Sequence, residues 1–234
     1  MKNGASEGFM TGFCYTLNVP HRCKMKVKLR QTTQPRDAEA TRGKILDAAE
    51  VEFAMSGLSG ARTGAIAAHT GVTKAMIYYY FDSKEGLYEA CLERAFSGHI
   101  QAASDPSWTV GDPVENLELL IRQFLSRSAL NPNLPAIVAH EAMQNKGKYY
   151  KQVGVIAFYQ VIANILERGM EIGVFRKVDA YHSAVTIVGA CVFYFCSREN
   201  IKHLWVDKDI LSPEMVNAHM DEAVCLIMNG LKAS

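Results

Sequence analysis

Between residues 38 and 230, apolar side chains recur at three- and four-residue steps. No stretch shows the sustained alternation that a half-buried strand requires. This periodicity restricts the chain to helices packed on helices, and the predicted fold class is all-α.

Punctuation residues divide the pattern. A helix over 39–56 carries Ile45, Leu46, Ala49, Phe53 and Ala54 on one face and stops at Gly57. Further helices are predicted from Thr63 to Gly71, from Thr73 to Phe81 and from Ser83 to Ser97. Asp105-Pro106-Ser107 and Gly111-Asp112-Pro113 mark a boundary over 98–112. Asp112 followed by Pro113 suits an N-cap and first helical position, and that helix runs to about Ala129. Pro135 opens the next helix, ending near Gly147, and a long helix is expected over 148–172. Asp179 caps a helix to Arg198, residues 199–211 read as a loop, and Ser212-Pro213-Glu214 starts a last helix ending at Gly230.

The 234 residues make one large or two small domains, long enough to need no disulfide or metal staple. Lys and Arg number 25 against 24 Asp and Glu. That balance excludes a protein that binds nucleic acid by bulk charge, so any such binding depends on local placement. The one strong local excess is in residues 1–35, where six basic residues face only Glu7. This segment reads as a disordered basic arm, or as a solvated tail. Met25 opens a second plausible start, so residues 1–24 read either as arm or as lying ahead of the native start. The six cysteines have no metal-ligand spacing, and Cys91, Cys191 and Cys225 lie in apolar helical patterns as expected buried thiols. The longest uncharged apolar run, Ser183–Ser197, is too short to span a bilayer, and the expected compartment is the cytoplasm.

The tract Thr63–Phe81, TGAIAAHTGVTKAMIYYYF, is the most informative. Ala67 permits close approach of two helices, Gly71 can take a positive φ at the turn, and Val72 and Ile77 can lock the pair together. Thr63 and Thr73 are each expected to cap a helix start, leaving N–H groups and a positive dipole end that suit phosphate. The second helix is too short for Tyr78, Tyr79 and Tyr80 all to face inward, while Lys74 can reach phosphate or a base edge. These are the features of a helix-turn-helix.

Residues 41–96 resemble the DNA-binding domain of the TetR family of transcriptional regulators. The likeness rests on the ILDAA opening, the Phe53…Gly57 ending, the IA..TGV turn, the IYYYF helix and the SKEGL start of the fourth helix, in that order and spacing. With the basic segment over 1–35 set apart by its charge, it implies a DNA-binding domain over 36–97 and a helical effector-binding and dimerisation domain over 98–234. It further implies a homodimer that binds a palindromic operator in double-stranded DNA and is released by a small molecule. By the same resemblance, Thr73, Lys74, Ala75 and Met76 take the base-reading end of the recognition helix, and Thr63, Tyr78, Tyr80 and Lys84 take phosphate-holding positions. Gly64 departs from the family, many members of which carry a polar or basic residue there.

In the second half, the nearly all-apolar helix over 180–198 needs burial on both sides, so it and the helix over 213–230 are expected to pair protomers. Polar or aromatic residues set among apolar ones nominate Phe124, His140, Gln144, Tyr159 and Asn164 for the effector site. No phosphate-binding, nucleophile or metal-protease motif occurs, and the expectation is a non-enzyme with no cofactor and no metal.

Overall fold

A computed structural model describes residues 35–152 and 155–233. Residues 1–34 of the expected basic arm lie outside this range, and Pro35, its last residue, opens the first helix. Among the described residues the elements are helices, with one isolated bridge pairing Phe175 and Lys232.

The first four helices are α1 (Pro35–Gly60), α2 (Thr63–Thr70), α3 (Lys74–Phe81) and α4 (Lys84–Ala103). The five apolar residues expected on one face of α1 are all buried. Helical geometry breaks at Gly57, with φ 64° and ψ −178°. A side chain is disfavoured twice over at this position. The backbone lies in a region open essentially to glycine, and a Cβ would sit 2.2 Å from Gln144 Oε1. Gly57→Ala is therefore expected to cost about 1–3 kcal/mol, read as a fall in the thermal midpoint.

α4 runs through the expected boundary at 98 and ends at Ala103. Phe96 and His99 hold this extension by edge contacts with Tyr150, Phe124 and Phe158, partners distant in sequence.

The second half comprises α5 (Pro113–Leu130), α6 (Leu134–Asn145), α7 (Lys148–Gln152), α8 (Ile156–Glu171), α9 (Ala180–Cys196), α10 (Arg198–Ile201) and α11 (Pro213–Leu231). The caps expected at Asp112, Asp179 and Ser212 form, each side chain accepting from a backbone N–H of its helix's first turn. The single helix expected over 148–172 is instead α7 and α8, and part of the expected loop over 199–211 is helical.

Two apolar cores result. One is built on α5, α8, α9 and α11. The other gathers α1–α4 and also takes Leu134 and Ile137 from α6 and Tyr149 from α7. The second half thus inserts its own side chains under the first. At that junction Glu141 is fully buried. Its carboxylate accepts from Tyr88 Oη (3.0 Å), Asn145 Nδ2 (2.5 Å) and the backbone N–H of Tyr149 (2.7 Å). Cys91 and Cys191 are buried, but Cys225, expected buried, lies exposed on α11. No single helix among the described residues is long and apolar enough to cross a membrane.

Candidate DNA-reading surface and effector cavity

The α2–turn–α3 unit follows from its local chemistry. Gly71 takes φ 73° and closes α2, its N–H donating to the Ala67 carbonyl. Thr73 caps α3, its hydroxyl accepting from Met76 N at 3.2 Å. Ala67 and Ile77 are buried. Burial of Ile77 fixes the opposite face of α3 outward, leaving Thr73, Lys74, Ala75, Met76 and Tyr78 exposed.

Thr63 does not cap α2. The N-cap position is Arg62, whose own N–H is taken by Glu52 Oε1 at 2.9 Å. Thr63 is the first residue of the helix, and its hydroxyl lies 3.3 Å from Tyr78 Oη. The cap fails because the chain enters α2 one residue earlier than the threonine signal suggests. Even so, Thr63 and Tyr78 meet on the same side of the unit.

Lys74 reaches back over α2, with its Cε 2.9 Å and its Nζ 3.3 Å from where a Cβ on Gly64 would stand. The departure at Gly64 thus has a structural reason. The glycine leaves room for the Lys74 stem and brings its ammonium to the N-terminal end of α2.

Lys84 is more committed than expected. Its Nζ donates to the carbonyls of Ser59 and Ala61, both at 3.3 Å, closing the C-terminal end of α1. One of its three donors remains for another partner. Tyr80 is half-buried against the core, whereas Tyr79, absent from the expected set, is 81% exposed. The available signal was spacing: Tyr79 follows Ala75 by four residues and so shares its face.

In the second half, Phe124 and Tyr159 line a cavity of about 50 Å³ with Phe96, His99, Tyr150 and Phe158. Phe124 and Phe158 stack at 5.0 Å. The other three expected effector residues do not line this cavity. Gln144 accepts from Ser59 Oγ at 3.0 Å and pairs with His140 Nδ1 at 3.2 Å, so both serve the α1–α6 contact. Asn164 is exposed on α8 and accepts from Gln160. Period along one helix shows which face is polar, but not which helices converge.

His99 is the residue that sequence reasoning missed, because it fell in the expected boundary. It is buried, and neither ring nitrogen makes a hydrogen bond of ordinary geometry. Burial lowers its pKa, opposed in part by the pull of the Ala95 carbonyl, with a lesser lowering contribution from nearby Arg127. The ring is accordingly neutral near pH 7.

A three-helix unit presenting a capped third helix, joined to a helical bundle with an aromatic cavity, is the architecture of helix-turn-helix regulators. The family model for bacterial regulatory proteins of the tetR family matches residues 45–91, and the tetracyclin repressor-like C-terminal domain matches residues 113–227. The chain belongs to the TetR family of DNA-binding transcriptional regulators.

Among its relatives, the HTH-type transcriptional repressor NicS of Pseudomonas putida is 29% identical over 169 residues, 70% of this chain and 80% of that protein. The HTH-type transcriptional regulator TtgR, also of Pseudomonas putida, is 26% identical over 64% of this chain and 76% of that protein. The ketosteroid transcriptional regulator KstR2 of Mycobacterium tuberculosis shares the fold with a TM-score of 0.66, at 19% identity, over 82% of this chain and 95% of that one.

Proposed function

We propose that this protein is a homodimeric repressor that holds a palindromic operator through α3 and releases it when a small molecule enters the aromatic cavity. The observation that carries the reading is the joint exposure of Thr73, Lys74, Ala75 and Met76 on a helix whose start is capped and whose back is locked by Ile77. The N-terminal end of such a helix meets base edges in the major groove. Thr63 and Tyr78, held together beside it, and Tyr80 and Lys84 at its flank supply phosphate contacts.

Two helices supply the dimer interface in this reading. Along α9, Tyr181, Val185, Gly189 and Phe193 repeat at four-residue steps and are all exposed, while Ala184, Ile187, Cys191 and Phe195 bury the other face. On α11, Leu226 is exposed at the edge of a groove it shares with α9. An apolar stripe on a helix already packed on one side is what a two-fold partner covers. Phe193→Asp is expected to convert the dimer to monomer, read by light scattering on the eluting protein. It is also expected to remove operator binding while leaving the helical circular-dichroism spectrum unchanged. Selection from random-sequence DNA, followed by the mass of the selected complex, tests the whole reading. Two protomers, or a multiple of two, on a palindrome supports it, and failure to enrich any sequence refutes it.

The cavity argues for admission by rearrangement. Ligand pockets usually span roughly 300–1,000 Å³, and 50 Å³ falls well short. Binding must therefore move lining side chains, which come from α4, α5, α6, α7, α8 and α9. Because α4 also carries Tyr88 and Arg94, which contact α6 and α1, that movement reaches the reader. A ligand shifts the balance only as far as it prefers one of the two arrangements.

A further inference from the structure

His99 stands in the wall of two spaces. Its inner side lines the aromatic cavity. Its outer side lines a cleft of about 540 Å³ between α1, α4 and the end of α5, among Asp47, Glu50, Arg94, Arg127 and Asn131. The two spaces differ in chemistry. The cavity offers aromatic faces and a neutral imidazole, whereas the cleft is polar.

Charges in the cleft are unevenly used. Arg94 binds Asp47 at 2.8 Å and Glu50 at 2.6 Å, and Asn131 Nδ2 donates to the second oxygen of Glu50 at 3.1 Å. Arg127 is half-buried and has no acidic partner among the described residues, although it lies against Gly98, next to His99. A partly desolvated guanidinium without a counter-charge favours an anion, and its planar donor fork matches a carboxylate.

We infer that the effector is an aryl carboxylic acid, with its ring in the aromatic cavity, its carboxylate on Arg127 in the cleft, and its path between them opened by His99 turning aside. This deepens the proposed regulatory reading and rests on it. An apolar cavity of about 150 Å³ takes a benzene ring, so the inner space needs the room that a displaced imidazole yields. Turning His99 aside gives up the pull of the Ala95 carbonyl and the edge contacts with Phe96, Phe124 and Phe158, but no other side chain loses a hydrogen bond to it. A monoanion fits better than a phosphate ester, because Asp47 and Glu50 stand in the same cleft and repel a second negative charge. The bound carboxylate comes to rest beside the clasp that Arg94 makes between α4 and α1, which gives the ligand a direct hold on the reader.

The test uses the full chain with 3-phenylpropionate and its neutral amide as probes, titrated calorimetrically. Wild type is expected to bind the acid about tenfold or more tightly than the amide, the affinity margin of a hydrogen bond to a charged group. Arg127→Gln should erase that preference, and Arg127→Lys should keep most of it. His99→Ala, which removes the barrier, should speed association of both probes about tenfold, an order-of-magnitude expectation for losing a gating step. Equal affinity for acid and amide in wild type, a preference that survives Arg127→Gln, or no binding of either probe at millimolar concentration would overturn the inference. Probe-free DNA binding by the same proteins separates the two levels. Retained DNA binding with no acid preference defeats the ligand assignment alone, whereas a wild type that binds no DNA site defeats the regulator reading beneath it.

Discussion

Replacing Lys74 with alanine is expected to weaken operator binding by about 30- to 20,000-fold without lowering the thermal midpoint. The magnitude follows from symmetry. One good side-chain contact to a base edge contributes about 1–3 kcal/mol. A dimer on a palindrome loses it in both half-sites, so the free-energy cost doubles before conversion to affinity. Lys74 is exposed on α3 and contributes nothing to the core behind Ile77, which is why stability should not follow affinity down. The salt dependence separates two roles for the ammonium. If it rests on phosphate, the slope of log affinity against log salt falls by about one per protomer, and sequence preference is kept. If it reads a base, the preference at that position relaxes. An affinity change under about threefold, less than a single such contact in one half-site contributes, would remove Lys74 from the interface.

Glu141→Ala is expected to cost about 3–5 kcal/mol of stability, since each buried donor left without its acceptor costs roughly 1–3 kcal/mol. Removing the carboxylate strands the Tyr88 hydroxyl and the Tyr149 N–H, both buried donors that water cannot reach. For a chain of this size each kcal/mol moves the midpoint by roughly 2–4 °C, so a fall on the order of 10 °C should be seen by thermal denaturation. Glu141→Gln keeps the shape and one acceptor oxygen, and should lose less than half as much. Because the three donors come from α4, α6 and α7, the alanine variant loosens the joint between reader and bundle. A midpoint within about 2 °C of wild type, less than 1 kcal/mol of stability, would show that the network is not a structural tie.

These two residues also mark where sequence reading succeeds and where it stops. The exposed place of Lys74 on α3 was legible because Thr73, Gly71 and Ile77 are local signals: a cap, a positive-φ turn and an apolar anchor act within a few residues of where they stand. The caps at Asp112, Asp179 and Ser212 were legible for the same reason. Glu141 gave no sequence signal, because two of its three donors, Tyr88 and Tyr149, come from other helices. His99 was hidden in the same way, since the ring contacts that carry α4 on to Ala103 are made with Tyr150, Phe124 and Phe158, which are distant in sequence. The division of 148–172 into α7 and α8 was missed because the apolar period continues on both sides of the break. Phe124 and Tyr159 fell in the cavity and His140, Gln144 and Asn164 did not, because convergence of helices leaves no mark in any one of them.

The most direct test is nuclease footprinting of the purified protein on DNA flanking its own gene and on sites from random-sequence selection, across a salt series. The account predicts two protected half-sites related by a dyad, their centres about one helical turn or ~34–36 Å apart, or a multiple of that spacing. Affinity should fall steeply as salt rises, and Lys74→Ala should lose the protection at concentrations where wild type saturates it. A single protected site without a dyad, or no protection on any DNA, would contradict it.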